Sequence, residues 1–348
     1  MSFARGLQRP HGARGNQGPA APPSGAPRKP HLWWVWCKRI LTAAFFVVVA
    51  VFIVRYARNV DWREVWQSVR EKPPEVLLLA AALSALTHLV YSCMDLLGRR
   101  YTGHAISKRK VMRVNFVSYA FNLNLGSLVG AVGMRLRLYS RLGLNNPTIT
   151  RVITLSMISN WLGYIVLAGL AFCIAPLELP PHWTLGSEGL RWLGAAMLLT
   201  AALYISLCLG SKKRSFMVRG HELWLPPPKM VLAQLVIACA HWLAMAGILF
   251  ILLRQQVPYH AVLSVMLIGA VAGVIAHVPA GLGVLEAVFL GLLSHRVAEA
   301  QLLGVLLTYR ALYYIAPLGL ALVLYAHLEA RAPSRKHTKT PAPNPPDR

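Results

Sequence analysis

Acidic residues are scarce: 12 Asp and Glu stand against 36 Lys and Arg in 348 residues, and charged residues of both signs make up only 14%. A soluble domain of this length carries about a quarter charged residues, so the shortfall argues against a soluble globular chain. Cysteines are few as well. Cys37, Cys93, Cys173, Cys208 and Cys239 lie in or beside apolar runs, and no two share a CxxC spacing. That excludes a disulfide framework and a zinc site, and the five read as small apolar packing residues. No Walker A sequence, Rossmann fingerprint, HExxH or GxSxG occurs. Neither a metal nor a cofactor is expected, nor enzymatic activity: no stretch outside the apolar region is long enough for a catalytic domain.

What the chain does have is apolar length and positive charge. Hydrophobic residues make up 56%, mean hydropathy is +0.49 and the formal net charge is +24. Such a charge suits nucleic acid or an anionic membrane. The bases fall in short clusters between apolar runs, which favours the membrane: Lys and Arg hold loops on the cytoplasmic side and attract anionic headgroups. Nucleic acid is not expected as a partner. Residues 1–31 are rich in Pro, Gly, Ala and Arg and are expected to be disordered, as is the tail 329–348. Between them, residues 32–328 form the transmembrane domain.

A span needs about twenty apolar residues. Runs of that kind cover about Trp36–Val54, a retained anchor with Trp33, Trp34 and Trp36 as an interfacial belt. Others cover Val76–Leu97, Val152–Ala175, Leu190–Leu209, Met230–Leu253 and Leu302–Leu324. Val60–Arg70 places Val60, Trp62, Val65, Trp66 and Val69 on one face, which predicts a surface-lying amphipathic helix. Two further apolar stretches, 114–133 and 261–293, are interrupted by Gly, Pro, Asn or Ser.

Charge asymmetry orders these passes. Residues 1–39 carry seven bases and no acid, so the amino terminus is expected inside. Arg99, Arg100, Lys108, Arg109, Lys110 and Arg113 precede the first broken stretch; Arg135, Arg137, Arg141 and Arg151 follow it. A re-entrant hairpin entering from the cytoplasm keeps both clusters inside, whereas a full crossing does not. Loop 176–189 has two Glu and no base and belongs outside; loop 210–229 and the tail are basic and belong inside. The second broken stretch then begins and ends outside, as a hairpin or two short helices. The fold class is all-α and polytopic, in the inner plasma membrane with both termini cytoplasmic. It has about six full crossings plus two broken segments entering from opposite faces, the pattern of an inverted repeat. Two ordinary crossings with Gly-rich packing faces are the alternative.

Ionisable groups at membrane depth are functional candidates by default. Glu286 follows Pro279, Gly281 and Gly283 and belongs near a helix amino terminus, where it holds a cation or proton or pairs with an arginine. Arg310 sits eight residues into the last run; its fork suits a phosphate or carboxylate, and Glu286 is the obvious protein partner. Arg135 and Arg137 either grip a lipid phosphate or anchor the loop. Asn122 and Asn124 line a polar path or cap exposed backbone. His277 titrates or is a hydrogen-bonded structural residue. Asp95 is expected to pair with Arg99 or Arg100, and His88 and His241 read as packing residues.

FNLNLGSLVGAVGMRLRLYSRLGL, SNWLGYIVLAG, HVPAGLGVLEAVF and YRALYYIAPL, in this order, resemble the YbhN-type members of the family of the transmembrane region of lysylphosphatidylglycerol synthase (MprF). The similarity runs from about Trp33 to Leu328. It points to Gly281, Gly283 and Glu286 in a PGGxGxxE-like block, to Tyr309, Arg310, Tyr313 and Tyr314 in a YRxxYY block, and to Arg135. The resemblance implies a flippase-like protein whose partners are membrane phospholipids, anionic ones foremost. It implies no lysyl transfer, which in that family belongs to a separate soluble domain. The alternative is a non-transporting membrane partner that positions a lipid or a lipid-synthesis enzyme.

Overall fold

The computed structural model describes residues 62–175, 186–211, 215–218, 221–276, 278 and 281–330. The expected first crossing at Trp36–Val54, residues 1–31, residues 331–348 of the carboxy-terminal tail and His277 lie outside them. Eleven helices and one small hairpin are described. A short helix, α1 (Trp62–Arg70), stands where the amphipathic pattern predicts one, with Arg70 stacked over exposed Trp66. It packs against α10.

Six helices are long and apolar enough to cross a membrane. They are α2 (Pro74–Thr102), α5 (Asn146–Ile174), α6 (Ser187–Gly210), α7 (Pro228–Leu252), α8 (Tyr259–Ala276) and a final 30-residue span. That last span, Glu299–Leu328, is built from α10 (Glu299–Arg310), a π-helical turn (Ala311–Ile315) and all but the end of α11 (Ala316–Ala330). Five of the six coincide with apolar runs read from sequence, and the sixth, α8, is the first half of the second broken stretch. The amphipathic signal inside these helices is weak because both faces are apolar: one packs, the other meets acyl chains. Leu78, Trp192, Leu203 and Val323 remain exposed on such outward faces. A small antiparallel ribbon, β1 (Ser215–Val218) with β2 (His221–Trp224), lies between α6 and α7 and pairs Ser215 with Trp224.

Both broken stretches are helical hairpins. In the first, α3 (Lys108–Leu125) turns at Gly126 (φ 84°) and returns through a π-helical segment (Leu128–Met134) into α4 (Arg135–Arg141). The limbs touch backbone to backbone: a β-carbon on Gly130 would lie 2.0 Å from the Asn122 nitrogen. In the second, α8 returns as α9 (Val284–Leu293), whose N-cap Gly283 adopts the left-handed φ of 77° that favours glycine. The first limb of each hairpin has 18 residues, about 27 Å of helix. The returning α9 has ten residues, about 15 Å, half the thickness of a hydrocarbon core.

The connectivity is therefore span–hairpin–span twice over, in opposite directions. Helix α2 runs to the end carrying Arg99 and Arg100, and the first hairpin enters from that basic end. Helix α7 runs the other way, and the second hairpin enters from the far end, where Gln301 bonds Gln256. The two leading spans, α2 and α7, pack on each other. Beside the main core around α7, α8 and α10, a second cluster joins Val111, Val114 and Val117 of α3 to Leu138, Tyr139, Ile149 and Ala321.

Candidate functional site

The hairpin tips meet on one turn of the last span. Asn124, at the tip of the first hairpin, donates its amide to the Tyr314 carbonyl at 3.2 Å and to Ala120 O at 2.8 Å. Gly281, at the tip of the second, accepts a bond from the Arg310 guanidinium at 3.0 Å. Arg310 also donates through Nε to Glu286 Oε1 at 2.5 Å and through its other arm to Oε2 at 3.0 Å, a bidentate pair. Glu286 lies in the first turn of α9, where the positive end of the helix dipole favours a carboxylate. The Arg310 guanidinium stacks over the Tyr314 ring at 5.3 Å. The pair is almost but not fully enclosed, with 9% and 14% of its two side chains exposed.

The π turn explains how this span serves both tips. A π turn shifts the hydrogen-bond ladder by one residue and loosens its carbonyls from regular pairing. The Leu312 carbonyl accepts from Ser84 Oγ at 2.9 Å, and the Tyr314 carbonyl accepts from Asn124. Side chains of α2 and α3 are thereby tied to the same turn as Arg310.

Beneath the tips lies a buried aromatic and histidine cluster. Tyr119 shares a hydrogen bond of 2.8 Å with the Tyr313 hydroxyl and one of 3.0 Å with His241 Nε2. Tyr91 stacks on Tyr119 at 3.7 Å, and Tyr309 stacks on Tyr313 at 5.2 Å. His88 contacts the rings of Phe116, Tyr119 and Tyr313 while its Nδ1 donates to Ser84 O at 2.9 Å. Among the described residues, His88 Nε2 and His241 Nδ1 have no hydrogen-bond partner. The two histidines read as packing residues are thus joined to the tyrosines of the YRxxYY block. Lone histidines in apolar runs carry no signal of this, because the contacts join residues more than a hundred positions apart.

Arg135 lies elsewhere, in a closed network at the basic end. It donates to Asp95 at 3.0 and 3.2 Å, to Asn115 Oδ1 at 2.6 Å, to Ser156 Oγ at 3.4 Å and to Ala131 O at 3.0 Å. Tyr139 donates to the same Asp95 carboxylate at 2.8 Å. The expected pairing of Asp95 with Arg99 or Arg100 does not occur. Arg99 bonds the Ile106 carbonyl instead, and Arg100 is exposed. Arg137 is exposed and stacks against Tyr325 at 5.7 Å. Asn122 is partly buried, and its carbonyl closes the hairpin turn by accepting from Gly126 N. Of the candidates, Glu286, Arg310, Tyr309, Tyr313, Tyr314, Asn124, Gly281 and Gly283 share one region, whereas Arg135 and Arg137 do not. Among the described residues no group of three His, Cys, Asp or Glu side chains could hold a metal ion.

Fold and site together define a polytopic membrane protein in which two oppositely inserted hairpins close on one turn of the final span, the second through a charged pair. The chain belongs to the family described as the lysylphosphatidylglycerol synthase TM region, which matches residues 40–321. It is 48% identical over 305 residues to the inner membrane protein YbhN of Escherichia coli (strain K12), covering 87% of this chain and 96% of that one. Protein slr0712 of Synechocystis sp. is 30% identical over 282 residues, covering 80% and 87%. The phosphatidylglycerol lysyltransferase of Staphylococcus aureus (strain MRSA252) is 25% identical over 301 residues, which span 82% of this chain but 33% of that protein. The family suggested by the four sequence motifs is the family matched.

Proposed function

We propose that this protein is a flippase-like carrier of the inner membrane. It binds a phospholipid or lipid-linked anion and moves it between leaflets, with its basic loops and both termini in the cytoplasm. The observation that carries the proposal is the meeting of the two hairpin tips on the Arg310–Tyr314 turn, sealed by the Arg310–Glu286 pair. Broken helices that enter from opposite faces and meet at mid-depth are the architecture of alternating-access carriers. Irregular backbone survives at that depth only where protein or a wet cavity covers it. A bidentate guanidinium–carboxylate pair is the geometry a phosphate diester can replace. In this mechanism the lipid phosphate takes the place of Glu286 on Arg310. The freed carboxylate draws α9 away, and the seal opens on one side at a time. The relation to a phosphatidylglycerol lysyltransferase, confined to a third of that protein, fits a lipid-handling role without lysyl transfer.

The test is movement of headgroup-labelled phosphatidylglycerol in proteoliposomes, comparing wild type with Arg310→Ala and Glu286→Gln. Wild-type movement above that of empty vesicles, lost in both variants, is the expected result. Wild-type flux no faster than in empty vesicles overturns the proposal. It would favour the reading in which the protein holds a lipid or a synthase without transporting.

A further inference from the structure

At the end of the bundle away from Arg99 and Arg100, a polar cleft of about 400 Å³ is lined by Gln67, Glu71, Lys72, Arg254, Ala298, Ala300 and Gln301. It collects parts from the end of α1, the segment leading into α2, the turn after α7 and the start of α10. Its volume falls in the range of small-molecule sites. We infer that this cleft is a binding site for a phosphate-bearing anion, held by Lys72, Arg254 and the open amino terminus of α10.

Three independent features agree. Lys72 is only 8% exposed, yet among the described residues its ammonium makes no hydrogen bond or ion pair. Its stem is covered while its ammonium lines the cleft, where the charge is available to an anion. Second, Arg254 shares the cleft and forms no ion pair among the described residues. It and Gln255 adopt left-handed backbone angles, φ 51° and 61°, which are strained for residues with side chains. Third, the N-cap of α10, Ala298, provides no side-chain cap, and Ala298, Ala300 and Gln301 at that helix start line the cleft. That is the geometry helix termini use for anions. Burial first, and the Arg254 charge second, hold the Lys72 ammonium below its ordinary pKa. A bound anion would offset both effects. Glu71 also lines the cleft, and exposed Glu299 stands in the first turn of α10 outside its lining, so the lining itself carries two cations and one carboxylate.

Phosphate at this position can come from a headgroup in the adjacent leaflet or from a soluble phosphate. The experiment uses the full-length protein in mild detergent, titrated calorimetrically with inorganic phosphate and, separately, with glycerophosphoglycerol. Saturable binding in wild type, weakened about tenfold by Arg254→Gln and by Lys72→Met and retained by Lys72→Arg, is the expected outcome. Because Arg254 is exposed, its variant folds and decides the matter even where Lys72→Met does not. Glycerophosphoglycerol binding tighter than inorganic phosphate assigns the site to lipid headgroups, and the reverse assigns it to soluble phosphate. No saturable binding of either probe, or equal affinity in Arg254→Gln, overturns the inference. Binding here without lipid movement in vesicles would defeat the carrier proposal and leave this site standing; movement without binding does the reverse.

Discussion

Arg135 and Arg310 are both paired bidentately with a carboxylate inside an apolar bundle, yet their surroundings differ. Arg135 and Asp95 are sealed at 1% and 0% exposure, and Asn115, Ser156, Ala131 and Tyr139 complete their hydrogen bonding. Arg310 and Glu286 keep a margin of exposure, and the second hairpin tip is held to the last span through that arginine. The first network ties α2, α3, α4 and α5 into one block and has no room for a ligand. The second ties a ten-residue half-helix to a span, where a competing anion could enter. Under the carrier proposal, the same pair of functional groups serves as a fixed joint in one place and as a latch in the other.

The largest expected effect is at the joint. Asp95→Ala leaves a buried guanidinium without its counter-charge and should destabilise the protein by about 3–5 kcal/mol. Thermal unfolding in detergent checks it; a loss no greater than that of Glu286→Gln would erase the distinction between the two pairs. Next comes Gly130→Ala, whose β-carbon collides with the Asn122 backbone. It should cost about 1–3 kcal/mol and increase protease cleavage near Gly126. Glu286→Gln should lower the unfolding temperature less than Asp95→Asn does, while abolishing lipid movement, a dissociation that a purely structural pair would not show. Tyr119→Phe removes the bonds to Tyr313 and His241 and should cost about 1 kcal/mol. Arg137→Gln, at an exposed position, should fall within about 0.5 kcal/mol of wild type in stability.

Much of this arrangement was legible in the sequence, because length and charge are strong signals in a membrane. Residues 76–97 and 152–175 read as spans by apolar length alone and form α2 and α5. Basic clusters on both sides of 114–133 favoured a hairpin over a full crossing, and α3 and α4 form one. Glu286 was placed at a helix start by the glycines before it, and Arg310 was its obvious partner. Side-chain partnership across the bundle was harder to read. Asp95 is four positions from Arg99, but their pairing loses to Arg135, 40 residues away, because the hairpin folds back against α2 and carries Arg135 to it. Tyr119, His241 and Tyr313 come from three distant segments, and nothing in their local sequence announces a shared network. The cleft at the far end was equally hidden: Lys72 looks like an ordinary loop base until the turn after α7 and the start of α10 close over it.

The π turn at Ala311–Ile315 also sets the phase of the last span. A π turn amounts to one residue added to an α-helix, and each residue of an α-helix advances the azimuth by about 100°. Arg310 above the insertion and Tyr325 below it therefore owe their relative orientation to a single extra residue. Deleting one residue from this turn would let the span relax into uninterrupted α-helix. Either Arg310 would then swing off Glu286, or Leu324 and Tyr325 would rotate off the first hairpin. The span is thus a camshaft with two lobes, timed by one tooth.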